Sequence, residues 1–227
     1  YYIHRDRKAT FQSVILAGVH DIKNIKRKIF ENGEHKLNSP WNIAADYLVD
    51  MSFSALDIAG MLKEYEGDHK TGMDINIIAE MIFEYTSGYP YLVSKLCKLI
   101  DEVVTEDPQF QIHPWTKEGV LKAVNILLKE KNTLFESLVN KLTDYPELRK
   151  VIYALLFNGK MIPYNPLNPA IAIAEMFGFI KRENDTAVIS NRIFETVLYN
   201  YFLSEEFLNS KMYDAALQDK NQFVKNG

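Results

Sequence analysis

Hydrophobic and polar positions along this chain change their period near residue 53. Before it, Val14, Ile15, Leu16, Ala17, Gly18 and Val19 form a short continuous apolar run, the pattern of a strand buried on both faces. His20 and Asp21 stand at its C-terminal end. Ile22, Ile25 and Ile29 then recur at helical spacing, with Lys23, Lys26, Arg27 and Lys28 on the other sides. A polar loop over 31–42 leads to a second short strand over 47–51, so strand, helix and strand form a parallel crossover unit. Two such strands alone are marginal. Residues 1–52 are therefore expected to be the C-terminal remnant of a larger α/β domain, or strands that pair with a second copy through an exposed sheet edge. The chain opens on Tyr1 rather than Met, as an excised piece would.

From Phe53 onward the pattern is helical. Ser54 and Asp57 have capping-box spacing, and Phe53 and Ile58 sit at staple positions. Leu56, Ala59, Leu62 and Tyr65 are expected to form the apolar stripe, with a loop over 67–72. Ile75, Ile78, Ile82 and Tyr85 mark a second helix that ends at Gly88, and a third starts at Pro90 with Leu92, Val93, Leu96, Leu99, Ile100 and Val103. Gly suits a left-handed helix end and Pro a first helical position. Gly88, Tyr89 and Pro90 thus predict a rigid corner with an exposed turn at its tip. A linker over 107–114 precedes a helix opened by Thr116. Thr133 with Glu136 is expected to cap a fifth helix carrying Phe135, Leu138 and Leu142. Residues 53–145 read as a small helical bundle.

Tyr145 and Pro146 break that run. A helix through Leu148, Ile152 and Leu155, an extended piece at 161–163, a helix over 170–177, a hairpin with its polar tip at 183–186, and a helix capped by Asn191 follow in order. That is the element order of a winged helix, over 146–207. Residues 208–227 are polar with scattered apolar positions, and read as a linker, a tail or a helix without its partner.

Composition narrows the chemistry. The 227 residues carry a net charge of −4, so no basic field draws the chain to nucleic acid or anionic lipid. A single cysteine excludes an internal disulfide framework, and no run is long enough to span a bilayer; a cytoplasmic protein is the expectation. Leu99, Ile100, Asp101 and Glu102 imitate an acidic Mg²⁺-binding strand, but helical periodicity directs the two acids to solvent. His4, His20, His35, His69 and His113 are dispersed, with no ligand spacing for a metal. Cys97 falls on an apolar helix side and reads as inert core. The would-be recognition helix has no Lys or Arg, leaving Lys181 and Arg182, with Lys160 and Arg192, as possible DNA contacts.

Residues 11–24, 38–44, 85–90 and 188–194, in that order, resemble the C-terminal half of bacterial AAA-like P-loop ATPases, the branch related to STAND and origin-recognition ATPases. The resemblance spans roughly residues 8–207. It implies a fold that is mainly α: a remnant parallel β-α-β of a P-loop core, then a helical lid, then a winged helix with a small β-hairpin. It implies that Gly18, His20 and Asp21 lie near the γ-phosphate, and that Gly88, Tyr89 and Pro90 form the Gly-x-Pro corner of the lid, with the proline against adenine. Asp21 has a competing role as a helix cap. ATP or ADP with Mg²⁺ would be the cofactor of the full-length parent; none is expected to bind this fragment.

Both Walker motifs are missing from this sequence, so the chain alone lacks the electrostatic clamp that hydrolysis needs. Its expected partners are a missing N-terminal P-loop region and, as in several members of that group, a downstream PD-(D/E)XK nuclease-like domain, with weak or no nucleic-acid binding and no membrane. Arg7 and Arg27 are the candidates for an arginine finger. The reading is a nucleotide-responsive switch. The alternatives are a protein- or DNA-binding winged-helix adaptor without nucleotide chemistry, and a purely scaffolding helical domain.

Overall fold

The computed structural model describes residues 51–158 and 161–209. The expectations for residues 1–50, including both parallel strands, and those for the tail beyond 209, lie outside them. The described residues are mainly helical, with one small antiparallel sheet.

Helix α1 (Ala55–His69) starts where the capping box places it: Ser54 Oγ accepts from the Asp57 N–H, and the Asp57 carboxylate accepts from the Ser54 N–H at 2.8 Å. Two details of α1 correct the expectation. The helix runs through Gly67 to His69, and the turn closes when Glu66 accepts from the Thr71 and Gly72 N–H groups. Its buried face is Ile58 and Leu62, with Ala59 and Tyr65 packed beside them, whereas Leu56 is 83% exposed. Leu56 lies on a different face of the first turn from Ile58, which is fully buried.

Helix α2 (Ile75–Thr86) is capped by Asp74, whose carboxylate accepts from the Ile77 N–H, and buries Ile78, Ala79 and Ile82. Helix α3 (Pro90–Glu102) buries Leu92, Val93, Leu96, Leu99 and Ile100. A short 3₁₀ turn (Val104–Glu106) then re-aims the chain, burying Val104 and leaving the expected Val103 about one-third exposed. The stretch expected as a linker is partly packed instead: Phe110 and Pro114 are buried, as is the adjacent Trp115. Helix α4 (Lys117–Lys129) is capped by Thr116, as expected.

Helix α5 (Thr133–Asp144) is capped by Asn132 rather than Thr133. The Asn132 Oδ1 accepts from the Leu134 N–H at 2.8 Å, and Asn132 Nδ2 donates to the Tyr91 hydroxyl at 3.0 Å. That second bond ties the cap to α3, a tertiary gain that local spacing does not reveal. Helix α6 (Pro146–Phe157) carries proline at its first position.

Strand β1 (Ile162–Pro163), helix α7 (Pro169–Met176), strands β2 (Ile180–Glu183) and β3 (Thr186–Ile189), and helix α8 (Arg192–Asn209) complete the order. The sheet order is β1-β3-β2, all antiparallel, with Ile162 opposite Ala187 and Ile180 opposite Ile189. Asn184 and Asp185 join β2 to β3 with φ of 45° and 60°, the two left-handed residues that a two-residue hairpin of type I′ demands. Phe179, Phe194 and Phe202 are fully buried and belong to the same apolar core as the α1–α5 side chains. Consequently the described residues form one compact unit, with no break at the Tyr145–Pro146 corner. Tyr145 packs on Phe177 there, with ring centroids 5.3 Å apart.

Candidate functional site

The α2–α3 corner is built from backbone geometry. Thr86, fully buried, returns its hydroxyl proton to the Ile82 carbonyl at 2.8 Å and accepts from the Gly88 N–H at 3.1 Å. Ser87 and Gly88 both adopt left-handed conformations, with φ of 46° and 73°. The Ser87 N–H closes the helix on the Phe83 carbonyl and the Tyr89 N–H bonds the Thr86 carbonyl, a tight double stop. Pro90 then starts α3, whose N-cap Tyr89 makes no side-chain cap bond.

The tip of this corner is not an exposed turn. Gly88 is buried, and its carbonyl accepts from the Phe53 N–H at 2.9 Å. A Cβ at position 88 would sit 1.8 Å from the Phe53 carbonyl oxygen. Close backbone approach, as much as the left-handed φ, is what demands glycine here.

The other side of the corner faces the C-terminal elements. Tyr89 meets the buried Phe194 of α8 edge-on, with centroids 5.4 Å apart. Phe194 is held there because Asn191 caps α8, its Oδ1 accepting from the Phe194 N–H at 2.8 Å. Lys181 Nζ, on β2, donates to Ser87 Oγ at 3.1 Å. Arg192 pairs with Glu84 and lies 4.8 Å from the Tyr85 ring centroid. The edge-on ring pair is worth about 1 kcal/mol beyond its burial. The exposed ion pair and cation–π contact add well under ~2 kcal/mol together. The joint is therefore held chiefly by apolar and backbone contacts, with charge setting its register.

Of the residues singled out from sequence, the structure brings together Gly88, Tyr89, Pro90, Lys181 and, through Glu84 and Tyr85, Arg192. Arg182 is apart from them: it pairs with Asp185 and stands over Tyr164 at 5.5 Å. Gly18, His20 and Asp21 lie outside the described residues, as do Arg7, Arg27 and Lys160. Phe53, Glu84 and Phe194 were not expected at this corner. Phe53 and Phe194 are far from it in sequence, and Glu84, though near it, meets a partner 108 residues away in Arg192, beyond any local pattern. The adjacent left-handed pair at Ser87 and Gly88 was the nearest available signal.

Elsewhere the chemistry is structural. Asp101, exposed on α3 as expected, accepts a hydrogen bond from Tyr65 of α1. Burial, and then this bond, push the Tyr65 phenol up to about 12, so it stays protonated and clamps the two helices. His69 stacks on the Tyr65 ring at 3.9 Å. Burial also pushes the Cys97 thiol up to about 11, the opposite of an activated nucleophile. Among the described residues no cluster of His, Cys, Asp or Glu could hold a metal ion, and no helix is long and apolar enough to cross a membrane. An open groove of about 470 Å³ beside the start of α5, lined by Glu130, Asn132, Phe135 and Val139, holds none of the expected site residues. No protein-family model, curated protein or solved structure matches the chain.

Proposed function

We propose that the described residues are the lid and winged-helix portion of an AAA-like P-loop ATPase, working as a nucleotide-responsive switch. The observation that carries this reading is the joint itself. The Gly88-Tyr89-Pro90 corner, where the resemblance puts adenine, touches α8 through Tyr89 and Phe194 and the hairpin through Ser87 and Lys181. A ligand that moves the corner would move the hairpin and α8 with it, so nucleotide state would be relayed as a rigid-body displacement. The order α6-β1-α7-β2-β3-α8, with β3 in the centre of the sheet, agrees with a winged helix. Hydrolysis on this reading belongs to a P-loop region supplied by the parent protein, with Mg²⁺ and ATP bound there.

Duplex-DNA binding by the winged helix is less well supported. Lys181, Arg182 and Arg192 are each engaged by a group of this chain, and Glu175 of α7 accepts from the Tyr164 hydroxyl at 2.6 Å. The adaptor reading is therefore the protein-binding one.

The test uses the complete gene product. Pro90→Ala removes a ring worth about 1 kcal/mol of apolar contact, so adenine-nucleotide affinity should fall about fivefold with little change in melting temperature. Unchanged affinity would remove Pro90 from the site. A complete absence of nucleotide binding by the unaltered protein would favour the adaptor.

A further inference from the structure

Strand β2 is an outer strand of the sheet, and among the described residues it pairs with β3 alone. The register fixes which way its backbone groups point. The Ser190 N–H donates to the Phe179 carbonyl at 2.9 Å, one step beyond the Ile180–Ile189 pair. Bonded and non-bonded pairs alternate along an antiparallel ladder. Lys181 and Glu183 therefore turn their N–H and C=O groups towards β3, while Ile180 and Arg182 turn theirs away from it. Ile180 is buried, but Lys181, Arg182 and Glu183 are exposed, so Arg182 presents a backbone donor and acceptor at the open edge.

We propose that this edge takes up an extended segment of a partner protein carrying two consecutive acidic residues, added to the sheet as a further strand. Main-chain bonds to Arg182 hold such a strand, and the side chains select it. Lys181 and Arg182 are adjacent, so they point to opposite faces, and two consecutive carboxylates on a paired strand would stand opposite them. The Lys181 ammonium bonds a neutral group, the Ser87 hydroxyl, which leaves its charge for a carboxylate. The pair of Arg182 with Asp185 is exposed on both sides and holds the guanidinium only weakly. A second copy fits the edge poorly. Antiparallel pairing of two β2 edges sets Lys181 against Lys181, Arg182 against Arg182 or Glu183 against Glu183, and like charges directly opposite are destabilising. Duplex DNA offers no strand for the edge to bond. This docking is independent of the nucleotide reading.

Titration of the full 227-residue chain with the blocked peptide acetyl-Thr-Val-Glu-Glu-Val-Thr-amide, followed by amide NMR, tests it. The peptide should shift the resonances of residues 180–183 saturably. At ten times the dissociation constant the Arg182 amide should exchange with water about tenfold more slowly, since protection grows as 1 + [L]/Kd. The same peptide with Lys-Lys in place of Glu-Glu should bind about tenfold more weakly, and the double variant Lys181→Glu, Arg182→Glu should reverse that preference. Arg182→Pro removes an N–H that β3 does not use, so the hairpin should persist while binding falls below that of Arg182→Ala. Absence of a saturable shift overturns the proposal, as does equal binding of the two peptides or undiminished binding by Arg182→Pro. Protection of 180–183 that rises with protein concentration alone would assign the edge to a second copy, and displacement of the peptide by duplex DNA would assign it to nucleic acid; either result overturns the proposal too.

Discussion

Replacing Gly88 with alanine attacks the corner at its most constrained atom. The substitution forces an L-residue into φ of 73°, which costs about 1 kcal/mol. It also drives a Cβ to 1.8 Å from the Phe53 carbonyl oxygen and under 3 Å from the Phe53 carbonyl carbon and nitrogen. All three are backbone atoms, so no side-chain rotation relieves them. The 53–54 segment must retreat, giving up the bond from the Phe53 N–H to the Gly88 carbonyl and leaving a buried carbonyl unsatisfied, a further loss of about 2 kcal/mol. The sum is about 3 kcal/mol, or ~10 °C in melting temperature for a chain of this size. Gly72→Ala is the control, since Gly72 has φ of 75° but nothing within 4 Å of the added Cβ. It should lose only the conformational share, about 1 kcal/mol. Urea denaturation of both variants measures the difference directly. Equal destabilisation by Gly88→Ala and Gly72→Ala would refute the close approach of Phe53.

Three further outcomes follow from the same contacts. Asn132→Ala should lose about 1–2 kcal/mol while Thr133→Ala stays within ~0.5, since only Asn132 caps α5 and reaches Tyr91; thermal melts compare them. For Glu205, burial pushes the carboxyl up, but the Tyr201 hydroxyl and Arg149 outweigh it, and the net shift is below its ordinary 4.5. A lowered folded-state pKa gives stability that is present above 4.5 and lost as pH falls through the folded value. The stability gap between the natural protein and Glu205→Gln should therefore be full near neutrality and shrink below pH 4.5, read by urea melts across that range. Finally, Cys97 is the single cysteine, and a thiol raised from 9 to about 11 holds roughly one-hundredth of the usual thiolate. Higher thiolate nucleophilicity offsets about half of that, so its reaction with a disulfide reagent near pH 8 should be about tenfold or more slower in the folded protein than in urea.

Local rules carried much of the helical layout. Ser54 with Asp57, Asp74, Thr116, Pro146 and Asn191 each mark a helix start through a bond or a missing donor within three residues, so sequence spacing suffices. What depends on tertiary neighbours was not legible. Leu56 stands six residues before Leu62, about 120° away around the helix, and is 83% exposed where Leu62 is buried. Val104 replaces Val103 inside because the chain tightens into a 3₁₀ turn that changes which side chain faces inward. Phe110 and Trp115 look like loop residues until the bundle closes over them. At the candidate site, the glycine and proline of the corner were readable, but the reason for the glycine, the backbone of Phe53, was not. Nor was the pairing of Glu84 with Arg192, which only the folded chain brings together.

The central claim is that the α2–α3 corner and the N-terminal part of α8 form one mechanical joint. Hydrogen exchange on Tyr89→Ala measures this most directly. Removing the ring that meets Phe194 should raise exchange at the amides of Phe194, Glu195 and Thr196 together with those of Leu92 and Val93. A variant in which the α3 amides open while the α8 amides keep their protection would contradict it.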